Sequence, residues 1–311
     1  MVKDLYRYIW KISARDQIIL SVLSTGVFLL ELAPLELQRR IVNGAVNRRD
    51  FQLIGLLCLI YLAVSLLHGA LKLVTNVYRG SVSEATNKHL RLQMIPSATG
   101  ELANERGEAG VKISMIVSEA EAVGSFAGSS FSEPVLNAGI LLSVSGYMLF
   151  VQPWMALVAF LTFCPQLLFI PTLQEAINRR TKRRIELLRA MSVDIVQEAA
   201  NASKTRKQHT FHERIGLIYL LNVQIFIRKF GINFLMNLLY SLGVIGVLAV
   251  GGWLVLHERT EVGTIVAFIS GLNRMNAPWR DLMNWFRDLT NAGTKYRLIA
   301  TELGKVPTAA D

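Results

Sequence analysis

The chain has 311 residues, of which 52% are hydrophobic and 18% are charged, and its formal net charge is +10. A mean hydropathy of +0.37 indicates long apolar stretches that alternate with polar ones. This composition excludes an intrinsically disordered chain. Two cysteines, Cys58 and Cys164, exclude a disulfide-rich secreted domain, and we expect both to be reduced packing residues. The composition predicts a polytopic membrane protein.

Six stretches are apolar enough to cross a bilayer, since a spanning helix needs about 20 apolar residues. These predicted spans are residues 17–37, 53–76, 131–151, 154–173, 232–256 and 262–283. Only Gln152 and Pro153 separate the third span from the fourth, which predicts a tight hairpin. In residues 1–16, apolar side chains recur at helical spacing at Leu5, Tyr8, Ile9 and Ile12. They predict an amphipathic helix in the inner membrane interface, with a disordered tail as the alternative.

Two long polar segments, 79–130 and 174–229, are predicted to be helical hairpins that extend the spans into the cytosol. Apolar residues recur every three or four positions along their arms. We expect Pro96 and Gly100 to end one arm of the first hairpin, leaving 101–106 as a short isolated helix. The second hairpin is expected to turn at 201–203.

The sixth predicted span continues as a cytoplasmic helix, which ends before the tail at 304–311. Its apolar stripe is expected to pack against neighbouring helices below the membrane. The stripe consists of Leu282, Trp285, Leu289, Ala292, Tyr296, Ile299 and Leu303.

Lysine and arginine counts predict the orientation of the chain. Most of the 33 basic residues lie on the side of the N-terminus and the two long segments, so we expect both termini to be cytoplasmic. Four arginines on the outside run against this rule: Arg39, Arg40, Arg48 and Arg49. Although the isoelectric point is 9.8, the basic cluster at 179–189 lies just below a span. It is expected to bind anionic lipid headgroups and not nucleic acid.

Polar residues inside spans are the candidates for a site, because charge in a bilayer is costly. Glu31 and Arg274 lie at overlapping depths in the first and sixth spans. They either line a cavity for polar or anionic cargo or pair with each other. Asn273 and His68 are further cavity candidates, with hydrogen bonding between helices as the alternative. The histidine spacing predicts no metal site.

Three segments, in this order and spacing, resemble the transmembrane domain of an ABC exporter. The first is Arg106-Gly107-Glu108 followed by residues 113–123. The second runs from Glu198-Ala199-Ala200 to His209-Thr210-Phe211-His212-Glu213. The third is residues 263–268, with Pro278 and Arg297 beyond them. The resemblance implies the type IV exporter fold, an all-α protein with six transmembrane helices and two long cytoplasmic hairpins.

The resemblance also implies a dimer with a second copy or a homologous half-transporter, in which spans four and five swap across. It implies a plasma membrane location, specifically a bacterial inner membrane. Two coupling helices would dock on a nucleotide-binding ATPase subunit. Their residues would be Glu101, Leu102, Asn104, Arg106, Lys207, His209, Phe211 and Glu213.

The sequence contains no G-x-x-x-x-G-K-[ST] motif to cradle phosphate; Gly304-Lys305 is followed by Val306. We therefore expect no catalytic residue and no cofactor in this chain, with ATP and Mg²⁺ bound by a partner subunit. The ATPase could also have been removed from a longer polypeptide, or the protein could use another energy source.

Two alternatives remain open. A transporter of the same fold could be driven by an ion gradient, with Glu31 and His68 as proton carriers. A non-transporting receptor or scaffold could use the hairpins only for docking.

Overall fold

The computed structural model describes residues 2–48, 51–101, 119–200 and 208–302, and every element in these ranges is a helix. The all-α prediction is confirmed for them. The elements are α1 (Val2–Leu30), α2 (Leu32–Asn43), a short π-helix (Gly44–Arg48), α3 (Phe51–Glu101), α4 (Ala120–Ser129), α5 (Ser132–Val151), α6 (Pro153–Ala200), α7 (Gln208–Leu256) and α8 (Val262–Glu302).

Five helical segments are long and apolar enough to cross a membrane, and they contain the first five predicted spans. They are Lys3–Val46, Phe51–Gln93, Ala120–Val151, Pro153–Leu188 and Glu213–Leu256. The sixth predicted span is helical, as part of α8, but the described part of α8 is too polar to join this set. Its Ala267, Phe268 and Leu272 are buried against protein. A helix shielded in this way needs less hydrophobicity than a lipid-facing one, and its crossing stays a prediction.

Prolines explain where the helices break. Pro34 has no N–H to offer the Leu30 carbonyl, and the chain leaves regular helix at Glu31. Pro134 likewise cannot bond the Ser130 carbonyl, and α4 is separated from α5 at this point. Gln152 is extended (φ −156°, ψ 97°) and Pro153 begins α6, so the helix breaks where the hairpin is expected; the hairpin itself stays a prediction.

Pro96 does not end its helix, so that prediction is wrong. Helix α3 continues through Pro96 and Gly100 to Glu101. The proline removes only the hydrogen bond to the Leu92 carbonyl. Leu92 is exposed on a part of α3 beyond its predicted span, so water can satisfy that carbonyl.

The chain divides into two compact units, and the first comprises Met1–Pro153 with Gly251–Asp311. Its core outside the predicted spans joins α1, α3, α4 and α8. The core residues are Leu5, Ile9, Leu90, Ala120, Val123, Phe126, Ala127, Trp285, Ala292 and Ile299. The predicted α8 stripe is confirmed for Trp285, Ala292 and Ile299; Leu303 lies outside the described residues.

Helix α1 is kinked at Ser13, where φ is −134° and ψ is 30°. The segment before this kink is the predicted amphipathic helix, so the disordered-tail alternative is wrong for Val2–Ile12. Leu5 and Ile9 from its apolar stripe are fully buried in the core described above. Protein therefore covers much of the stripe that was expected to face the membrane interface.

Glycines bring α3 and α4 into close contact. A Cβ atom at Gly128 would lie 2.5 Å from the Arg79 carbonyl oxygen, and one at Gly124 would lie 2.9 Å from the Asn87 backbone nitrogen. Gly124 and Gly128 have the small-x-x-x-small spacing that lets helix backbones approach within a membrane protein. The packing of α4 on α3 thus depends on both positions.

The second unit is Trp154–Val250, which contains α6 and most of α7. Polar contacts join its two helices below the predicted spans: Arg180 Nε donates to Gln224 Oε1 at 3.0 Å, and Arg184 Nη1 donates to Asn222 Oδ1 at 3.1 Å. Cys164 in this unit is free, as expected, but exposed, and so is Cys58 in α3. The prediction that the cysteines are packing residues is therefore wrong, since no helix among the described residues covers them.

Candidate functional site

Glu31 lies at the break between α1 and α2, where the helix is locally distorted. Its backbone N–H is shared between the carbonyls of Val27, at 3.2 Å, and Phe28, at 3.3 Å. The missing N–H of Pro34 accounts for this interruption of the helical hydrogen bonds, and Glu31 places its carboxylate there, inside the first predicted span, with helical dihedral angles (φ −64°, ψ −24°).

Three side chains from different parts of the fold converge at this break. Arg274 of α8 donates a hydrogen bond to Glu31 Oε1. His68 of α3 places its Nε2 2.9 Å from Glu31 Oε2. The side chains are only 13% exposed for Glu31, 20% for His68 and 23% for Arg274. We call Glu31, His68 and Arg274 the ion triad.

Pairing satisfies charges that would be costly to leave alone in an apolar environment. The ion triad therefore connects the break between α1 and α2 to α3 and α8. Of the two roles that the sequence leaves open for Glu31 and Arg274, the structure contains the pairing. A role in binding substrate stays a prediction.

Asn273, the fourth cavity candidate, is exposed. It takes no part in the contacts described for the ion triad. Its position beside Arg274 on α8 directs it to a different face of the helix.

A second polar cluster surrounds Glu36 of α2. The carboxylate of Glu36 accepts hydrogen bonds from Arg40 Nε at 2.7 Å, Arg39 Nη2 at 3.2 Å and the Tyr147 hydroxyl at 2.9 Å. This pairing partly neutralises two of the four arginines that run against the orientation rule. Sequence reasoning missed the cluster; the i, i+3 and i, i+4 spacing of Glu36 to the arginines was its only signal.

The connection between α2 and α8 lies near this cluster. The side-chain amide of Asn43 donates to Glu261, and its Oδ1 accepts from the Gly263 N–H at 2.7 Å. A Cβ at Gly263 would collide with the Arg39 carbonyl oxygen and with Asn43. Glycine is thus required for this close approach.

Buried Gln17 holds α1 to the junction of α4 and α5. Its Nε2 donates to the Ala127 carbonyl at 2.9 Å, and its Oε1 accepts from the Ser130 hydroxyl at 3.3 Å. Nearby, Arg79 of α3 pairs with Glu133 of α5 at 3.0 Å. Together these contacts fix the end of the bundle opposite the Glu36 cluster.

The predicted coupling residues fall largely outside the described residues. Glu101 is the last residue of α3, and Leu102, Asn104, Arg106 and Lys207 lie in the undescribed segments. His209, Phe211 and Glu213 belong to the first turns of α7, and Glu213 is exposed. The expected turn at 201–203 falls between Ala200, where α6 ends, and Gln208, where α7 begins. The coupling role stays a prediction.

The described residues contain no group of three or more histidine, cysteine or acidic side chains that could hold a metal ion. No protein-family model matches the chain, and the search of curated proteins gave no match. In the part of the chain that the structure describes, the fold is all-helical and includes five segments able to span a membrane, which indicates a multi-pass membrane protein.

Proposed function

We propose that this chain is the membrane-spanning subunit of an ABC-type exporter. In this proposal it forms the translocation pathway, and a separate nucleotide-binding subunit hydrolyses ATP. The chain works as a dimer with type IV topology, in a bacterial inner membrane with both termini cytoplasmic.

The length of the helices is the observation that carries the proposal. Helices α3, α6 and α7 have 51, 48 and 49 residues. At a rise of 1.5 Å per residue each is about 75 Å long, whereas the hydrocarbon core is about 30 Å thick. More than half of each helix must extend beyond the hydrocarbon. Such helices can transmit a rigid-body movement from a cytosolic ATPase subunit to the membrane-spanning segments.

The two-unit division supports the proposed exchange between subunits. The second unit, Trp154–Val250, corresponds to spans four and five with their hairpin, the segment that the resemblance implies is swapped. On this hairpin the apolar residues Ile185 and Ile215 are 40% and 53% exposed. Both lie outside the predicted spans, so lipid does not account for their exposure. A partner subunit would cover them.

In this proposal the ion triad holds the break between α1 and α2 in one arrangement relative to α3 and α8. A bundle that alternates between two packings needs contacts that hold one arrangement and can exchange for others. The pairing of Glu31 with Arg274 is such a contact, because it joins the break between α1 and α2 to the interior of α8, 243 residues away in sequence.

Co-purification from native membranes tests the proposal. A tagged chain should bring down a second polypeptide with a Walker motif, identified by mass spectrometry. Phe211→Asp should abolish this, because it places a charge at the predicted docking tip. Tyr219→Asp is the matched control on the same helix, since Tyr219 is 66% exposed and lies farther from the tip. Absence of any ATPase from the wild-type sample would refute the proposal.

The contact between His68 and Glu31 favours the ion-gradient transporter as a second candidate. A paired imidazole and carboxylate within the spans can exchange a proton. Transport would then survive ATP depletion and collapse with an uncoupler. A scaffold is the third candidate, in which the ion triad has a purely structural role.

A further inference from the structure

A cavity of about 500 Å³ lies between α1, α3 and α8, in the first unit. Its lining residues fall outside the six predicted spans, so it is separate from the ion triad. The volume is within the range of small-molecule sites, about 300–1,000 Å³. The polar side chains that line it are Tyr8, Lys11, His89, Gln93 and Tyr296.

The polar side of the cavity is rich in hydrogen-bond donors. Lys11 is exposed and supplies a positive charge, and Gln93 Nε2 lies 3.0 Å from His89 Nε2 on α3. The buried hydroxyl of Tyr8 has no hydrogen-bond partner among the described residues. Burial, and to a smaller extent the carboxylate of Asp4, raises the pKa of Tyr296 and keeps its hydroxyl protonated.

The described lining contains one fixed positive charge and no carboxylate. A buried hydroxyl without a partner is unfavourable, because it loses its water without gaining another bond. A ligand that brings acceptor oxygens would satisfy this group and neutralise Lys11. These features favour an anionic head group.

The floor of the same cavity is apolar. Leu90 and Ile299 are buried in the core, and Ile12 and Ala300 complete the surface. A free inorganic anion would leave this floor in contact with water, whereas an apolar group would cover it. The ligand that matches both sides is amphiphilic.

We infer that this cavity binds an anionic amphiphile, with a phosphate or carboxylate head group at Lys11 and Tyr8 and an apolar body on Leu90 and Ile299. Both an anionic phospholipid and a soluble alkyl phosphate have this chemistry. The site is independent of the proposed transport function.

Native mass spectrometry of the purified chain in a neutral maltoside detergent tests the inference, with dodecyl phosphate as the probe. Lys11→Gln and Tyr8→Phe should each weaken binding about tenfold, the effect of losing one charge-assisted hydrogen bond. Lys88→Gln is the matched control, because Lys88 is exposed on α3 and does not line the cavity. Tyr8→Phe keeps the ring and therefore the packing against Tyr296.

Nanodiscs separate the two sources of the ligand. Retention of phosphatidylglycerol over phosphatidylcholine, lost in Lys11→Gln, assigns the site to a membrane lipid. Binding of dodecyl phosphate without that lipid preference assigns it to a soluble amphiphile. Equal binding of dodecanol and dodecyl phosphate, or equal effects of Lys11→Gln and Lys88→Gln, would overturn the inference.

Discussion

Replacement of Glu31 by glutamine should destabilise the first unit, because it removes the only carboxylate described in the ion triad. Arg274 then keeps its charge at 23% exposure without a carboxylate partner there. Breaking a buried ion pair on one side costs about 3–5 kcal/mol. Since the pair is not fully buried, we expect a loss near the lower limit, about 3 kcal/mol. Thermal unfolding in detergent should show a decrease in Tm of roughly 6–12 °C.

A double-mutant cycle separates the ion pair from the shape of the side chains. Glu31→Gln combined with Arg274→Met should lose clearly less stability than the sum of the single variants, because no charge is left unpaired. Glu175→Gln is the surface control. Glu175 is 70% exposed, and its distance of 4.0 Å from Arg179 is long for an ion pair. Its replacement should therefore cost less than about 1 kcal/mol. An additive cycle, with Glu31→Gln no worse than Glu175→Gln, would refute the reasoning.

Three further predictions concern packing and polar contacts, all measured by thermal unfolding in the same detergent. Gly128→Ala should lose about 1–3 kcal/mol by forcing α3 and α4 apart, whereas Gly146→Ala, which meets open space, should lose nothing; equal stabilities would contradict the close packing. Gln17→Leu should lose about 1–3 kcal/mol by removing the buried hydrogen bonds of the Gln17 amide to the Ala127 carbonyl and the Ser130 hydroxyl, and an unchanged Tm would mean that these bonds do not stabilise the fold. Tyr147→Phe should lose about 1–2 kcal/mol with its bond to Glu36; a more stable variant would show that the bond is not favourable.

Local patterns predicted the fold where the cause is local. The helix break before Pro153 follows from the proline itself, and the stripe at Trp285, Ala292 and Ile299 follows from helical periodicity. The continuation of α3 through Pro96 was not predictable in this way. It depends on whether a single lost hydrogen bond can be met by water, and that depends on the exposure of Leu92 in the folded chain.

The ion triad was predicted only in part. Sequence gives the depth of a residue in its span, which placed Glu31 and Arg274 at one level. It does not give the rotation of a helix about its axis, so pairing and cavity lining remained equally compatible with it. His68 contacts Glu31, and Tyr147 contacts Glu36, because distant segments pack together. The spacing of residues in the sequence does not predict such contacts.

The most direct test of the account is to measure whether ATP or an ion gradient drives movement in the bundle. Asn273→Cys, in a background with Cys58 and Cys164 replaced by serine, can be labelled from outside proteoliposomes with a membrane-impermeant maleimide. The proteoliposomes hold the complex purified from native membranes. Phe150→Cys, whose native residue is 90% exposed at the predicted outer end of α5, serves as the control. The account predicts that ATP changes labelling at residue 273 and not at residue 150. Labelling at residue 273 that does not change with ATP but changes with a proton gradient would contradict the account.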